Sequence, residues 1–252
     1  MASPSRAPRA TAGWPLSGRP TMSRSSFCKR ARRWPPRNPG PRCPYGPLVR
    51  GALAAALLAA SPAAAQDQCR LALQLALDVS ASVDAAEYQL QLSGLASALL
   101  DPAVISGFLD VPGPVALSIF EWSGRFQQDV LVDWTMITSE DDLTRIADRV
   151  LRATRTHQDF PTAIGYALGF AATRFEQAPP CLFQTLDISG DGQNNDGFPP
   201  DAAYDHFDFS GITVNGLAIG GAARMIEDYY ATEIIRGPGA FVEYATNSTI
   251  RR

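Results

Sequence analysis

The chain has 252 residues, 46% of them hydrophobic and 19% charged, which is ordinary for a globular protein with a packed core. Its formal charge of -3 conceals two unlike parts: residues 1–65 hold 11 of the 22 Lys and Arg and no Asp or Glu, and the remainder holds 11 basic against 25 acidic groups, a net of -14. A basic arm of this kind can mark a nucleic-acid-binding tail, but the residues that follow it point to export and exclude nucleic acid as the expected partner.

Residues 51–60 read GALAAALLAA, an uncharged apolar run. It falls short of the roughly 20 residues that span a bilayer. Arg50 precedes it and the small residues from Ser61 to Ala65 follow it. That order of basic, apolar and small residues is a secretory signal, with cleavage expected near Ala65. Such signals occupy about 15–30 residues, so the long segment before Arg50 suggests a later start, at Met22 or at a non-Met codon nearer Arg50. Residues 1–50, rich in Pro, Arg and Ser, show no periodicity and are expected to be disordered. Residues 66–252 are expected to form one secreted or periplasmic domain, with no later segment apolar enough to cross a membrane.

From Cys69 onward strands and helices alternate. Residues 71–77 (LALQLAL) form a short apolar run ending at Asp78, the pattern of a buried strand. A helix is predicted over 84–100, with Asp84 as N-cap and Tyr88, Leu92, Leu95 and Leu99 on one face. Residues 115–122 (VALSIFEW) and 128–134 (QDVLVDW) read as strands joined by a hairpin at Ser123-Gly124, the second an edge strand. Ser139 and Asp142 open a helix to about residue 152 as a capping box. A helix over 162–176 follows Pro161. Strands are predicted at 182–188, 212–219 and 240–244, with a helix over 222–235. Strands separated by helices favour βαβ units and a mostly parallel sheet covered on both faces. In such sheets ligands bind beyond the carboxyl ends of the strands, where strand order reverses.

Two of those ends carry the chemistry. The first strand runs into Asp78-Val79-Ser80-Ala81-Ser82, and the fourth leads into Gly190-Asp191-Gly192. One carboxylate and two hydroxyls at alternate positions of a tight loop make a hard-oxygen site, suited to Mg²⁺, Mn²⁺ or Ca²⁺. A helix-capping turn would use the same residue types. The segment 191–202 is not an EF-hand loop, because position 6 is Asp196 and position 12 is Ala202 where Gly and Glu are needed.

DxSxS, then Thr162 before a helix, then Asp191 after a strand resembles the metal-ion-dependent adhesion site of von Willebrand factor A domains. The resemblance spans roughly residues 69–245. The blocks LALDVSASVD, ALSIFEWSG, FPTAIGYALG, LDISGDGQNN, VNGLAIGG and GPGAFV are similar to a bacterial family of secreted proteins, DUF1194. The resemblance implies an α/β fold of three layers, Rossmann-like, and a metal site at Asp78, Ser80, Ser82, Thr162 and Asp191, with Mg²⁺ the first expectation. It implies a partner protein or peptide that supplies an Asp or Glu to the ion. It implies no catalytic activity. Domains of this type end in a helix packed on the sheet. The few residues after Tyr244 are too short for it, so its absence and an exposed apolar patch are expected. Asp187, inside the fourth strand, competes with Asp191 as a ligand, and a buried carboxylate held by backbone donors is its alternative reading.

Around this site Glu121, Trp122, His157, Asp159 and Asn194 are rim candidates, each with a packing or loop-bracing alternative. Cys69 lies nine residues before Asp78 and Cys181 ten before Asp191. If both aspartates top adjacent parallel strands, the two cysteines sit together at the bottom, and a Cys69–Cys181 disulfide follows. Cys28 and Cys43 fall in the part expected to be removed. No GxSxG, HExxH or cysteine–histidine pairing points to a hydrolase. A metal-dependent binding module is the leading reading, with a metal-assisted hydrolase and a structural domain stapled by a metal as the others.

Overall fold

The computed structural model describes residues 68–220 and 225–246. The expected signal peptide with its cleavage point at Ala65, Cys28 and Cys43, the first turn of the helix expected at 222, and the tail 247–252 lie outside the described residues.

The sheet has six strands, β1 (Leu71–Asp78), β2 (Val115–Trp122), β3 (Gln128–Ile137), β4 (Phe183–Gly190), β5 (Ile212–Gly220) and β6 (Val242–Thr246). Their order is β3-β2-β1-β4-β5-β6. All neighbours are parallel except β2 and β3, the hairpin read from Ser123-Gly124. β2 is buried along its whole length, including Ser118 and Glu121, as a strand covered on both faces must be. The β2–β3 register slips beside Ser118, whose hydroxyl donates to the Val132 carbonyl at 3.0 Å. Strand order reverses between β1 and β4, so their carboxyl ends open a crevice.

Helices cover both faces. On one face α1 (Ala85–Leu99) and α3 (Glu140–Leu151) pack Tyr88, Leu92, Leu143 and Ile146 against Leu77, Leu117 and Ile119. On the other, α4 (Ile164–Phe175) packs Ile164 and Leu168 against Ala76, Phe120, Leu186 and Ile188. This is the expected three-layer arrangement. Asp84 caps α1, accepting from the backbone N–H groups of Ala86 and Glu87 at 2.7 and 2.8 Å, and Glu87 returns the bond to the Asp84 N–H.

Several expectations change. Two short helices, α2 (Pro102–Leu109) and α5 (Pro200–His206), were not anticipated. Each begins with Pro in its first turn, and the Asp101 carboxylate caps α2 through the Ala103 N–H. α4 starts at Ile164 rather than Thr162. The reason is local: the Thr162 N–H donates to Asn195 Oδ1, the Asn195 N–H donates to the Thr162 carbonyl, and the Ala163 N–H donates to Ser123. Those bonds hold Thr162 out of the helix. The helix expected over 222–235 is divided into α6 (Met225–Tyr229) and a π-helical turn, Tyr230–Ile234.

Cys69 and Cys181 form a disulfide, with Cα atoms 4.4 Å apart, below the ends of β1 and β4. Backbone bonds from Leu182 and Phe183 to Cys69 and Arg70 continue the strand pair to that point. On the sheet face beside α1, Leu75, Leu77, Leu95, Leu217, Ile219 and Phe241 line an open apolar groove of 440 Å³. Among the described residues no single helix is long and apolar enough to cross a membrane.

Candidate metal centre

β1 delivers Asp78 to the crevice, and the chain turns at once. Asp78 Oδ1 accepts from the Ser80 N–H at 2.7 Å, which curls the loop so that Ser80 and Ser82 face the same way. Their hydroxyl oxygens lie 3.1 Å apart. The Ala81 N–H donates to the Phe160 carbonyl, tying this loop to the one that carries Thr162. Thr162 Oγ1 reaches Ser80 Oγ at 3.2 Å, and Ser82 Oγ donates to Asp191 Oδ1 at 2.7 Å. Five oxygen-bearing side chains from three loops therefore meet at the ends of β1 and β4. Asp78, Ser80 and Thr162 form a buried floor, and Ser82 and Asp191 are more open to solvent.

The centre is electrostatically incomplete. Asp78 Oδ2 is buried and has no hydrogen-bond partner among the described residues. Burial, and then the charge of Asp191, push the Asp78 carboxyl up to about 7. Burial likewise raises Asp191. Two inward carboxylates thus disfavour ionisation where they stand, and a bound cation reverses that balance. Three hydroxyls and two carboxylates, without His or Cys, are hard donors for Mg²⁺, Mn²⁺ or Ca²⁺. Among the described residues there is no cluster of three His, Cys, Asp or Glu, so the donor set is hydroxyl-rich instead of a carboxylate cage. The residues present fit a divalent cation.

One residue that holds this site was not read from the sequence. The Arg155 guanidinium donates to the carbonyls of Val79, Ser80 and Val83 at 2.7–2.8 Å, and to those of His157 and Gln158 in its own loop. It locks the DxSxS loop to the Thr162 loop. Arg155 is half-buried in a segment of loop residues, and no local pattern marks the role.

The rim candidates divide. Glu121 is interior, 2% exposed, and accepts a 2.6 Å hydrogen bond from Tyr88; burial raises its carboxyl. Trp122 is wholly buried among core residues. Both belong to the packing of β2, which corrects their placement on the rim. His157 pairs with Asp129 at 3.1 Å and stands edge-on to Phe160, so it braces the loop. Asp159 is exposed on that loop. Asn194 accepts from the Gly165 N–H at 3.2 Å and serves the start of α4. Its neighbour Asn195 is the one that fixes Thr162. Asp187 pairs in register with Leu75 and lines the groove on the opposite face, where Asn215 donates to it at 2.8 Å. Strand alternation therefore turns Asp187 away from Asp78, and its partner is a side-chain amide where a backbone donor was expected.

Residues 68–249 match the model of a family described as "Protein of unknown function (DUF1194)". No curated protein is significantly similar to the chain. Among solved structures the chain is similar to proximal thread matrix protein 1 of the mussel byssus, "with zinc occupied MIDAS motif". The identity is 15% and the TM-score 0.52, with 72% of this chain and 45% of that one covered. It is similar to the PilB minor pilin from Streptococcus sanguinis, at 11% identity and a TM-score of 0.52, covering 74% and 59%. It is also similar to a von Willebrand factor type A protein from Catenulispora acidiphila, at 15% identity and a TM-score of 0.47, covering 73% and 40%. The chain spans 40–59% of these proteins' lengths. Identities this low bear on the fold alone, which the chain shares with the byssal and pilin proteins.

Proposed function

The chain belongs to the DUF1194 family, and in this member the family carries a von Willebrand factor A fold; from that premise we propose that it is a secreted binding module that recognises a carboxylate of a protein or peptide through a divalent cation. The observation that carries the reading is the convergence of the Ser80, Ser82 and Thr162 hydroxyls with Asp78 and Asp191 in one crevice. Asp78, Ser80, Ser82 and Thr162 would hold the ion, with Asp191 acting through water. Mg²⁺ is the first choice, and Mn²⁺ or Ca²⁺ suits the same donors. Three of the five donors are neutral, so the ion would keep charge to offer an anionic ligand. When bound, it supplies an electrophilic anchor for an Asp or Glu at the centre of an interface. Arg155 and Asn195 hold the loops in place for it.

Export is supported by the Cys69–Cys181 disulfide, which persists in oxidising compartments. The byssal and pilin proteins with this fold favour the same setting. A hydrolytic reading gains no support from the candidate bases, since His157 is engaged with Asp129 and Asp159 lies exposed on the loop. Immobilised wild-type protein is expected to retain a partner in Mg²⁺ and to release it in chelator. Retention that persists in chelator, or on Asp78→Ala, contradicts metal-dependent recognition.

A further inference from the structure

Two buried oxygens without hydrogen-bond partners among the described residues lie beside Gly190, behind the metal centre. One is Asp78 Oδ2 and the other is the Tyr230 hydroxyl. Tyr230 is fully buried and opens the π-helical turn Tyr230–Ile234. Its side chain enters the site over two glycines. A Cβ on Gly216 would lie 2.6 Å from Tyr230 Cδ1, so β5 must lack a side chain there for the ring to pass. A Cβ on Gly190 would lie 2.4 Å from the Tyr230 hydroxyl and 2.9 Å from Asp78 Oδ2. The two oxygens therefore border the same small space, separated by no more than a single bridging water closes. The ring edge of Trp122 closes the same space, with Cζ2 3.4 Å from that point. Leaving the carboxylate oxygen and the hydroxyl both unmade in the interior would cost far more than satisfying them together.

We propose that Tyr230 is a positioning residue of the metal centre, its hydroxyl donating to Asp78 Oδ2 directly or through one water. The bond sets the plane of the carboxylate while the Ser80 N–H holds the other oxygen. The π-helical turn is what delivers the ring to this depth, in keeping with the frequency of such turns at functional sites. A methyl group at Gly190 of β4 would expel the hydroxyl. The inference rests on the metal-binding reading above.

Tyr230→Phe removes one oxygen and keeps the ring that fills the Gly216 slot. Calorimetric titration with Mn²⁺ is expected to show binding weakened about tenfold or more, the range typical for groups that orient a metal ligand. The melting temperature in chelator is the control. A residue that only packs would lower that temperature and leave the Mn²⁺ affinity unchanged. Gly190→Ala supplies a second readout, because its methyl enters the space the hydroxyl uses, and it should weaken Mn²⁺ binding similarly. Combined with Asp78→Asn, Tyr230→Phe should add little. Wild-type Mn²⁺ affinity in Tyr230→Phe overturns the role of Tyr230, whatever Gly190→Ala does, and leaves the metal site standing. Absence of Mn²⁺ binding by the wild type overturns both.

Discussion

Arg155 shows how much of the site depends on a residue that offers the ion no donor of its own and binds only backbone carbonyls. Its guanidinium binds carbonyls of two loops, and three of those carbonyls belong to residues 79–83. Hydrogen bonds from a charged donor are worth about 1.5–3 kcal/mol each and are not additive. Arg155→Ala should cost about 2–4 kcal/mol and weaken metal binding. Arg155→Lys should recover only part, because an ammonium cannot reproduce the planar fork. Urea denaturation and metal titration check both, and wild-type behaviour in Arg155→Ala would remove Arg155 from this role. The contrast with Asp78, Ser80 and Ser82 is instructive. Their spacing is local, so it is legible in five consecutive letters. Arg155 and Tyr230 act across the chain, and nothing within a few residues of either marks them. Glu121 and Trp122 misled for the opposite reason: they end a strand beside the site, but one faces Tyr88 and the other the core.

At the scale of elements, long periodic segments were legible and short ones were not. β1, β2 and α1 carry enough apolar repeat to declare themselves. α2 and α5 have eight and seven residues and lean on Asp-Pro and Pro-Pro starts, a signal too slight to separate from a turn. The π-helical turn is invisible to a 3.6-residue period. The α3 cap was legible in Ser139 and Asp142, and it gives a pH-dependent expectation. Asp142 accepts from the backbone N–H groups of Thr138 and Ser139, and those bonds hold its carboxyl below the ordinary range. A depressed carboxyl stabilises the fold above its unfolded value of about 3.9, and the benefit is lost as pH falls through the folded value. Asp142→Ala should therefore cost about 1 kcal/mol at neutral pH, and the gap from wild type should shrink in acid. A gap that stays constant to low pH would mean the carboxylate is not the source.

For the molecule as a whole, the pairing of Cys69 with Cys181 follows from one regularity: nearly equal offsets, nine and ten residues, from two cysteines to two aspartates place both pairs at opposite ends of neighbouring parallel strands. The disulfide closes a sequence separation of 112 residues. In the chain-entropy model such a bridge stabilises by about 4–5 kcal/mol. Replacing both cysteines by alanine should lower stability on that scale without moving the metal site, and an unchanged denaturation midpoint would contradict it. An apolar groove lies over β1, β4 and β5, lined by Leu75, Leu77, Leu217 and Ile219. The side of the sheet on which Asp187 falls was not legible, because its competition with Asp191 turns on strand register, which only the assembled sheet defines.

The central claim is that the crevice between β1 and β4 is a divalent-cation site. Isothermal titration of Mg²⁺ and Mn²⁺ into chelator-stripped protein, wild type beside Asp78→Ala, tests it most directly. One saturable site in the wild type and none in Asp78→Ala is the expected result. No binding by the wild type, or equal binding by the two proteins, would contradict it.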